Sequence, residues 1–480
     1  MSSKYNKSKN GSIQQKIFFI VFCSLILINP LPLGSNRVWA WSFEAMIATA
    51  LLLIMVTCSL FSNQCISWHR IKKMRLELVL IGIWLFINLL YLIPLPTSLV
   101  SFISPNVGKA YSELGLSSGF LSLDVYASYQ TLMLSVYFFT VFVLGVVLIN
   151  TRWRIKFVLF LFVTLGVFES IYGMYLVSIG QTGTIVQVVS VNPENASGTF
   201  INKNHLVAFL SMCFILGLSL RMIISRKLKD YSHLDFKIRF IRFIGHPVRI
   251  LDLSLFLILA GIWNTHSRAG LAAFLLALFF LSMFVFFSKK NKSVSYKKIL
   301  SVFALGIVLL IFVADDVNYL MNSLGQNADD SIEHVMGTAQ GRLLAFNQVV
   351  DNYPSYWFSG VGPGAYQVFF VNHRVLEQTA FFDHAHNDYI EFIIEYGLLS
   401  LMLLTLLLVF LYKIFMFIFK THSKFYKYLG ICVISSMIYM LLHGNMDFNA
   451  RIPANVVTII VAISAVYGRI VMSGVNKSIK

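Results

Sequence analysis

Residues 383–395 concentrate ionisable side chains immediately before a long apolar run. This segment contains two histidines, two aspartates and two glutamates within thirteen residues. Histidine is the usual side chain for taking up a proton near neutral pH, so His386 is a candidate general base. Because a charge in hydrocarbon costs roughly 3 kcal/mol or more, ionisable residues at membrane depth indicate a function.

Three further polar clusters lie close to apolar runs or in a long polar segment. Residues 202–205 read NKNH at the start of one run, Arg268 stands between two short runs, and Arg342 follows a glycine in the polar segment. Each has an ordinary explanation: a helix N-cap with a polar interface, an arginine that extends its head group to water, and a surface arginine. The functional alternative is anion binding, because the planar arginine fork stays charged and binds two oxygens at once.

A helix beginning near His386 would place Asp388, Glu391 and Glu395 on one face. Acidic residues in a first turn also interact favourably with the helix dipole, and this explanation covers Asp388 well. It does not explain His386, which gains nothing at a helix N-terminus unless it is neutral. His384 and His386 could both reach one metal ion only from extended backbone, and no second cluster offers further ligands, so we predict no metal site.

The elements that position these residues are predicted to be membrane helices. The chain of 480 residues is 57% hydrophobic and only 12% charged, about half the charged fraction of a soluble protein. Repeated apolar runs of roughly 20 residues predict an all-α polytopic membrane protein. The twelve predicted spans are 17–33, 43–61, 76–97, 126–149, 155–179, 205–223, 250–264, 269–288, 299–313, 393–418, 428–444 and 453–472.

The basic residues predict how these spans are oriented. With the N-terminus in the cytoplasm and alternating sides, only seven of the 38 Lys and Arg residues fall on the outer side. This satisfies the positive-inside rule, so the net charge of +17 requires no nucleic-acid partner. All four polar clusters then lie on the outer side. The seven outer basic residues are Arg37, Lys109, Lys203, Arg268, Arg342, Arg374 and Arg451.

Three outer segments are long: 98–125, 180–204 and 314–385. The last has the composition of a soluble domain, and a short amphipathic helix is predicted from Arg342 to about Val350. The motif GVGPGAY follows at 360–366, where three glycines and a proline predict a tight turn. The chain has no repeat of fixed period, which argues against transporters built from two similar halves.

The order of these motifs resembles that of the O-antigen ligase and O-antigen polymerase superfamily. SGTFINKNH, THSRAG, GRLLAFNQVV with GVGPGAY, and HAHNDYIEFIIEYG follow one another over roughly residues 190–400. His386 and Gly397 match the H-x10-G pattern of the ligases. The R-x3-L pattern of the ligases is not met, because Leu271 comes one position early after Arg268. Both ligase and polymerase therefore stay open.

This resemblance implies a membrane glycosyltransferase with a GT-C-like helical fold in the bacterial inner membrane, with its active site facing the periplasm. The donor would be a glycan on undecaprenyl diphosphate, and no metal or other cofactor would be needed. The acceptor would be lipid A–core sugar in a ligase, or another lipid-linked unit in an O-antigen or exopolysaccharide polymerase. The implied domains are 1–189 with spans one to five, a core at 190–420 that includes loop 314–385, and 421–480 with spans eleven and twelve.

We predict that Arg268, Arg342 and His386 converge as catalytic residues at the outer membrane boundary. The arginines would hold the diphosphate, and His386 would accept the proton of the acceptor hydroxyl. Asp383 or Asp388 would hold the histidine tautomer. The predicted substrate-binding residues are Asn202, Asn204, His205, Arg374, Asp388 and Tyr389.

Two other classes of function also place polar residues in a membrane protein. A lipid-glycan transporter or flippase would need them near the midplane rather than on one side. A non-catalytic assembly partner would use Arg268, Arg342 and His386 only structurally. Product formation without ATP or an ion gradient separates the enzyme from both alternatives.

Overall fold

The computed structural model describes residues 13–61, 66, 68–180, 194–224, 246–287, 347, 351–373 and 383–473. Within these ranges almost all regular structure is helical, and the strands β1 (Leu95–Pro96) and β2 (Ser118–Gly119) form one short antiparallel pair. Nine helical segments of this described part are long and apolar enough to cross a membrane. The prediction of an all-α polytopic membrane protein is therefore confirmed.

The described helices are α1 (Ile13–Ile28), α2 (Val38–Phe61), α3 (Trp68–Lys72), α4 (Arg75–Leu90), α5 (Thr97–Ile103), α6 (Pro105–Glu113), α7 (Val125–Leu148), α8 (Arg152–Ser178), α9 (Lys203–Ile224), α10 (Pro247–Asn264), α11 (Arg268–Phe287), α12 (Tyr366–His373), α13 (Asp388–Tyr396), α14 (Ser400–Lys420), α15 (Lys424–His443) and α16 (Pro453–Ser473). Every predicted span within the described ranges overlaps a helix. Predicted span 299–313 lies outside those ranges, as does the helix predicted from Arg342 apart from Asn347.

Helix α9 lies at the centre of the bundle and packs against α8, α10, α11, α15 and α16. Small residues bring its neighbours close: a Cβ on Gly261 of α10 would lie 2.2 Å from the Ser170 Oγ of α8. Close packing of small residues drives helix association where lipid removes the hydrophobic force between helices. The packing fixes the first turn of α9 inside the bundle, next to the loops that follow α10 and α15.

The glycine-rich turn at 360–366 holds α13 in place. Gly360, Gly362 and Gly364 have φ of +67°, +107° and +74°, which confirms the predicted tight turn. The Gly362 N–H donates to the Glu395 carbonyl at 3.0 Å. A Cβ on Gly360 would lie 2.3 Å from that same carbonyl, so glycine is required for this approach. Helix α13 is thus fixed before the chain enters α14 through a short 3-10 turn.

Candidate active site

His386 lies in the loop immediately before α13. The helix begins at Asp388, two residues after His386, because the Asn387 side chain accepts hydrogen bonds from Tyr389 N at 3.0 Å and Ile390 N at 3.2 Å. His386 has φ of +47°, which is uncommon for a residue other than glycine. Its side chain is 22% exposed. The backbone therefore holds the imidazole outside the helix and within reach of an incoming molecule.

Asp447, in the loop between α15 and α16, orients the His386 ring. Its Oδ1 atom accepts from His386 Nδ1 at 3.3 Å and from the Phe448 backbone N–H at 2.9 Å. Burial alone would raise the pKa of Asp447, but the imidazoles of His205 and His386 beside its carboxylate hold this pKa well below its ordinary value. A carboxylate can only accept, so Nδ1 of His386 carries hydrogen and the neutral ring presents its lone pair at Nε2.

His205 approaches the same carboxylate from the first turn of α9. Its Nε2 atom lies 3.6 Å from Asp447 Oδ1, and its side chain is only 3% exposed. This buried position directs His205 toward Asp447, and its role in substrate binding stays a prediction. Of these two histidines, His386 is the one that a substrate can reach.

The Phe448 ring forms a common apolar surface for three histidines. Its centroid lies 4.1 Å from the ring of His384, 4.6 Å from that of His205 and 5.0 Å from that of His386. The His384 ring is stacked, whereas the other two meet Phe448 edge-on. Such aromatic contacts restrict rotation of the imidazoles, which keeps His386 Nδ1 directed at the Asp447 carboxylate.

The acidic face of α13 points into the protein, where Arg451 balances it. Glu391 Oε1 lies 3.0 Å from Arg451 Nε and 2.8 Å from His384 Nδ1, and Glu395 accepts from the same guanidinium. Burial alone would lower the pKa of His384, but the Glu391 carboxylate more than compensates and the pKa is raised above its ordinary value. The carboxylates of Glu391 and Glu395 thus hold the 384–385 and 449–451 loops together.

Asp388 and Tyr389 were both predicted to bind substrate; Asp388 contacts the chain between α15 and α16, and Tyr389 contacts the last turn of α15. The Asp388 carboxylate accepts from Ala450 N at 3.1 Å, and its own N–H donates to the Gly444 carbonyl at 2.8 Å. The Tyr389 hydroxyl donates to the Leu441 carbonyl at 2.7 Å. The partner of His386 was predicted to be Asp383 or Asp388, and this was wrong for its Nδ1 atom, because Asp447 occupies that position.

The polar residues at the start of α9 connect this helix to α11. Asn202 Oδ1 accepts from Asn204 N at 2.8 Å, which is the N-cap role considered as its ordinary explanation. The Asn204 side chain in turn accepts from Ser267 Oγ at 2.7 Å. Arg268 follows directly and is exposed, at the first position of α11. Arg268 and His386 therefore flank the same first turn of α9.

Two predicted site residues are not among those that the structure describes. Arg342 and Arg374 lie outside the described residues. Within the described ranges, no group of three or more His, Cys, Asp and Glu side chains has the geometry to hold a metal ion.

Sequence reasoning missed the contribution of residues 444–452. The run GNMDFNARI supplies Asp447, Phe448 and Arg451, yet it reads as a short loop between two spans. An aspartate and an arginine beside apolar spans were the available signal, because charges at this depth need partners. Their partners lie on α13 and α9, and only the folded bundle brings them together.

The comparison with known families agrees with the resemblance. Residues 253–405 match the sequence model of a family described as O-antigen ligase, and this confirms the resemblance to the O-antigen ligase and polymerase superfamily. The matched region contains Arg268 and His386, whereas His205 and Asp447 lie outside it. No curated protein matches the chain. The family supports a function of the ligase or polymerase type in a multi-pass membrane protein.

Proposed function

We propose that the protein is a metal-independent membrane glycosyltransferase, which moves a glycan from undecaprenyl diphosphate to an acceptor hydroxyl at the periplasmic face of the bacterial inner membrane. The observation that carries this proposal is the pairing of His386 with the buried Asp447 at 3.3 Å. This pairing defines the tautomer of the His386 imidazole. The ring is partly exposed and lies at the entrance to an apolar helix. The match to the O-antigen ligase family supports the reaction type.

In the proposed reaction, the acceptor oxygen forms a bond to the anomeric carbon of the donor while the bond from that carbon to the diphosphate oxygen breaks. The hydroxyl proton passes to Nε2 of His386, and the bonding electron pair leaves with the diphosphate. Asp447 stabilises the imidazolium that forms, because its carboxylate already faces Nδ1. A positioned general base contributes about 10²–10⁴-fold to the rate.

The leaving diphosphate gains negative charge and needs cations rather than a proton donor. Arg268 is exposed at the start of α11, beside the first turn of α9, and its fork suits two phosphate oxygens. We propose Arg342 and Arg374 as further cations of the same site. The polyprenyl tail would lie against apolar helix faces such as that of α14, where Leu401, Leu404 and Leu408 are exposed.

The direct test is a transfer assay with purified protein, lipid-linked glycan and an acceptor, without ATP or an ion gradient. Glycosylated acceptor is the expected product. If the donor only changes sides of a vesicle membrane, the protein is a transporter instead. Deletion of the gene then separates ligase from polymerase: unattached long donor chains indicate a ligase, and accumulated single repeat units indicate a polymerase.

Replacement of Arg268 by alanine is expected to lower kcat/KM for the donor by about 10–100-fold, because a hydrogen bond between charged groups contributes about 1.5–3 kcal/mol. Lysine should restore only part of this loss, since it keeps the charge but not the fork. Initial rates at varied donor concentration measure the effect. Arg37→Ala, at an exposed arginine, is the control. Equal donor kinetics in Arg268→Ala and Arg37→Ala would show that Arg268 does not contact the donor.

The proposed orientation can be tested with reporter fusions. Both termini are expected in the cytoplasm and loop 314–385 in the periplasm, because the basic residues are concentrated on one side. Green fluorescent protein fused after Lys480 should fluoresce, and alkaline phosphatase inserted at Asn445 should be active. An active phosphatase at the C-terminus would show that the number of spans is odd.

A further inference from the structure

A polar groove lies between α6 and the segment 356–373, and its volume is about 470 Å³. This volume is typical of small-molecule sites in proteins. The lining differs entirely from the residues around His386. Of the eight described residues that line it, six carry polar side chains: Asn106, Lys109, Glu113, Tyr356, Asn372 and His373.

The charges in the polar groove are balanced. Lys109 Nζ lies 3.8 Å from Glu113 Oε1, one helical turn along α6, and the two side chains are 71% and 67% exposed. This lysine therefore offers no unpaired charge that would select a diphosphate. Among the described residues, the apolar part of the lining consists of Ala110 and Leu123, and these two small surfaces are too few to hold an acyl chain. The ligand class that fits is neutral and rich in hydroxyl groups, because carboxamides and a carboxylate both bind hydroxyls.

The aromatic side of the polar groove is fixed in advance. The Tyr356 ring packs edge-on against Phe369, with centroids 5.7 Å apart. The His373 ring stacks on Phe369 with centroids 4.4 Å apart, and its Nδ1 lies 2.8 Å from the Phe369 carbonyl. Tyr356 meets His373 edge-on at 5.9 Å. Preformed side chains lose little freedom on binding, which favours a site for a flexible ligand.

Backbone hydrogen bonds join the polar groove to the helix that follows His386. Leu123 N donates to the Val361 carbonyl at 2.8 Å, and Val361 N donates to the Ile394 carbonyl at 2.9 Å. Ile394 lies on α13, between the two glutamates that Arg451 holds. The groove and the His386 site are therefore two surfaces supported by one helix.

We propose that the polar groove is a glycan subsite, which binds sugar units of a substrate at a distance from the reacting hydroxyl. This inference rests on the proposed glycosyl transfer, since a glycan held at the membrane boundary must extend away from the lipid. Donor and acceptor glycans share the neutral polyol chemistry that the groove fits. Substrate-specific kinetics distinguish which of the two occupies it.

Ala110→Trp fills the groove without removing a side-chain hydrogen bond, whereas its control Ser112→Trp removes the one from the Ser112 hydroxyl to the Lys109 carbonyl. Ala110→Trp places an indole in the groove, and Ser112→Trp places the same group on an exposed position of α6 outside the lining. Ala110→Trp is expected to raise KM for one glycan substrate at least tenfold with kcat nearly unchanged, whereas Ser112→Trp should stay within twofold of the parent. The substrate whose KM rises identifies the occupant.

A binding measurement tests the subsite independently of the proposed transferase activity. The probe is the oligosaccharide released by mild acid from the organism's own lipid-linked glycan, titrated into the purified full-length protein. The parent and Ser112→Trp should bind it, and Ala110→Trp should bind at least tenfold more weakly. Equal binding by the two tryptophan variants, or none by the parent, would overturn the subsite. Absence of transfer by the parent protein would instead overturn the proposed function.

Discussion

Replacement of His386 by alanine is expected to lower kcat for glycan transfer by about 10²–10⁴-fold, which is the usual contribution of a positioned general base. Donor binding should persist, because the proposed diphosphate contacts come from arginines. The protein should remain folded, since the ring is partly exposed and lies in a loop rather than inside a helix. Single-turnover rates with saturating donor, together with donor binding to the same preparation, measure the two parts separately.

His422→Ala is the matched control for this experiment. His422 is exposed in the connection between α14 and α15, so the same substitution there should leave transfer unchanged. Full activity of His386→Ala would contradict the proposed mechanism.

A chelator is expected to have no effect on the parent enzyme, because His386 and the arginines carry the proposed steps. Complete loss with a chelator, reversed by added divalent metal, would also contradict the mechanism.

The helices could be predicted from sequence because lipid imposes a local rule. A span must be apolar over its own length, so hydropathy alone located α7, α8 and α16 to within a few residues. Helix ends were less accurate where a cap or turn decides them. Helix α4 ends at Leu90, although the predicted span continues to 97. Helix α13 begins at Asp388, two residues after His386, because Asn387 caps it.

The pairing of side chains could not be predicted, because it depends on distant segments. His386 and Arg268 attracted attention as polar residues among apolar ones, which is a local signal. The partner of His386 is 61 residues further along the chain, and Asp383 and Asp388 were considered only because they are near in sequence. Distance along the chain gives no guide to contact once several spans intervene.

The acidic face of α13 shows the same limit. The spacing of Asp388, Glu391 and Glu395 correctly predicts one face, and all three side chains are buried. Sequence could not indicate that this face turns inward, because the compensating groups are Arg451 and the Ala450 backbone N–H. A buried charge is stable only with its partner, which makes Arg451 the most sensitive position of the network.

Substitution of Arg451 by methionine is expected to lower the free energy of unfolding by about 3–5 kcal/mol, because removal of one partner leaves buried charges uncompensated. The guanidinium is only 12% exposed, contacts both Glu391 and Glu395, and lies 4.4 Å from the Phe392 ring. Methionine retains much of the apolar contact, so the loss of stability reflects mainly the loss of the positive charge. Equilibrium unfolding of the purified protein in detergent measures it.

Charge balance also predicts a partial rescue of Arg451→Met. Addition of Glu395→Gln removes one of the two uncompensated carboxylates, so the double variant should be more stable than Arg451→Met alone. Glu391 would keep His384, 2.8 Å away, as its remaining partner. Arg37→Met, at an exposed arginine, should change stability by less than about 0.5 kcal/mol, as surface substitutions usually do. If Arg451→Met proves as stable as Arg37→Met, or if Glu395→Gln lowers its stability further, Arg451 does not neutralise the acidic face of α13.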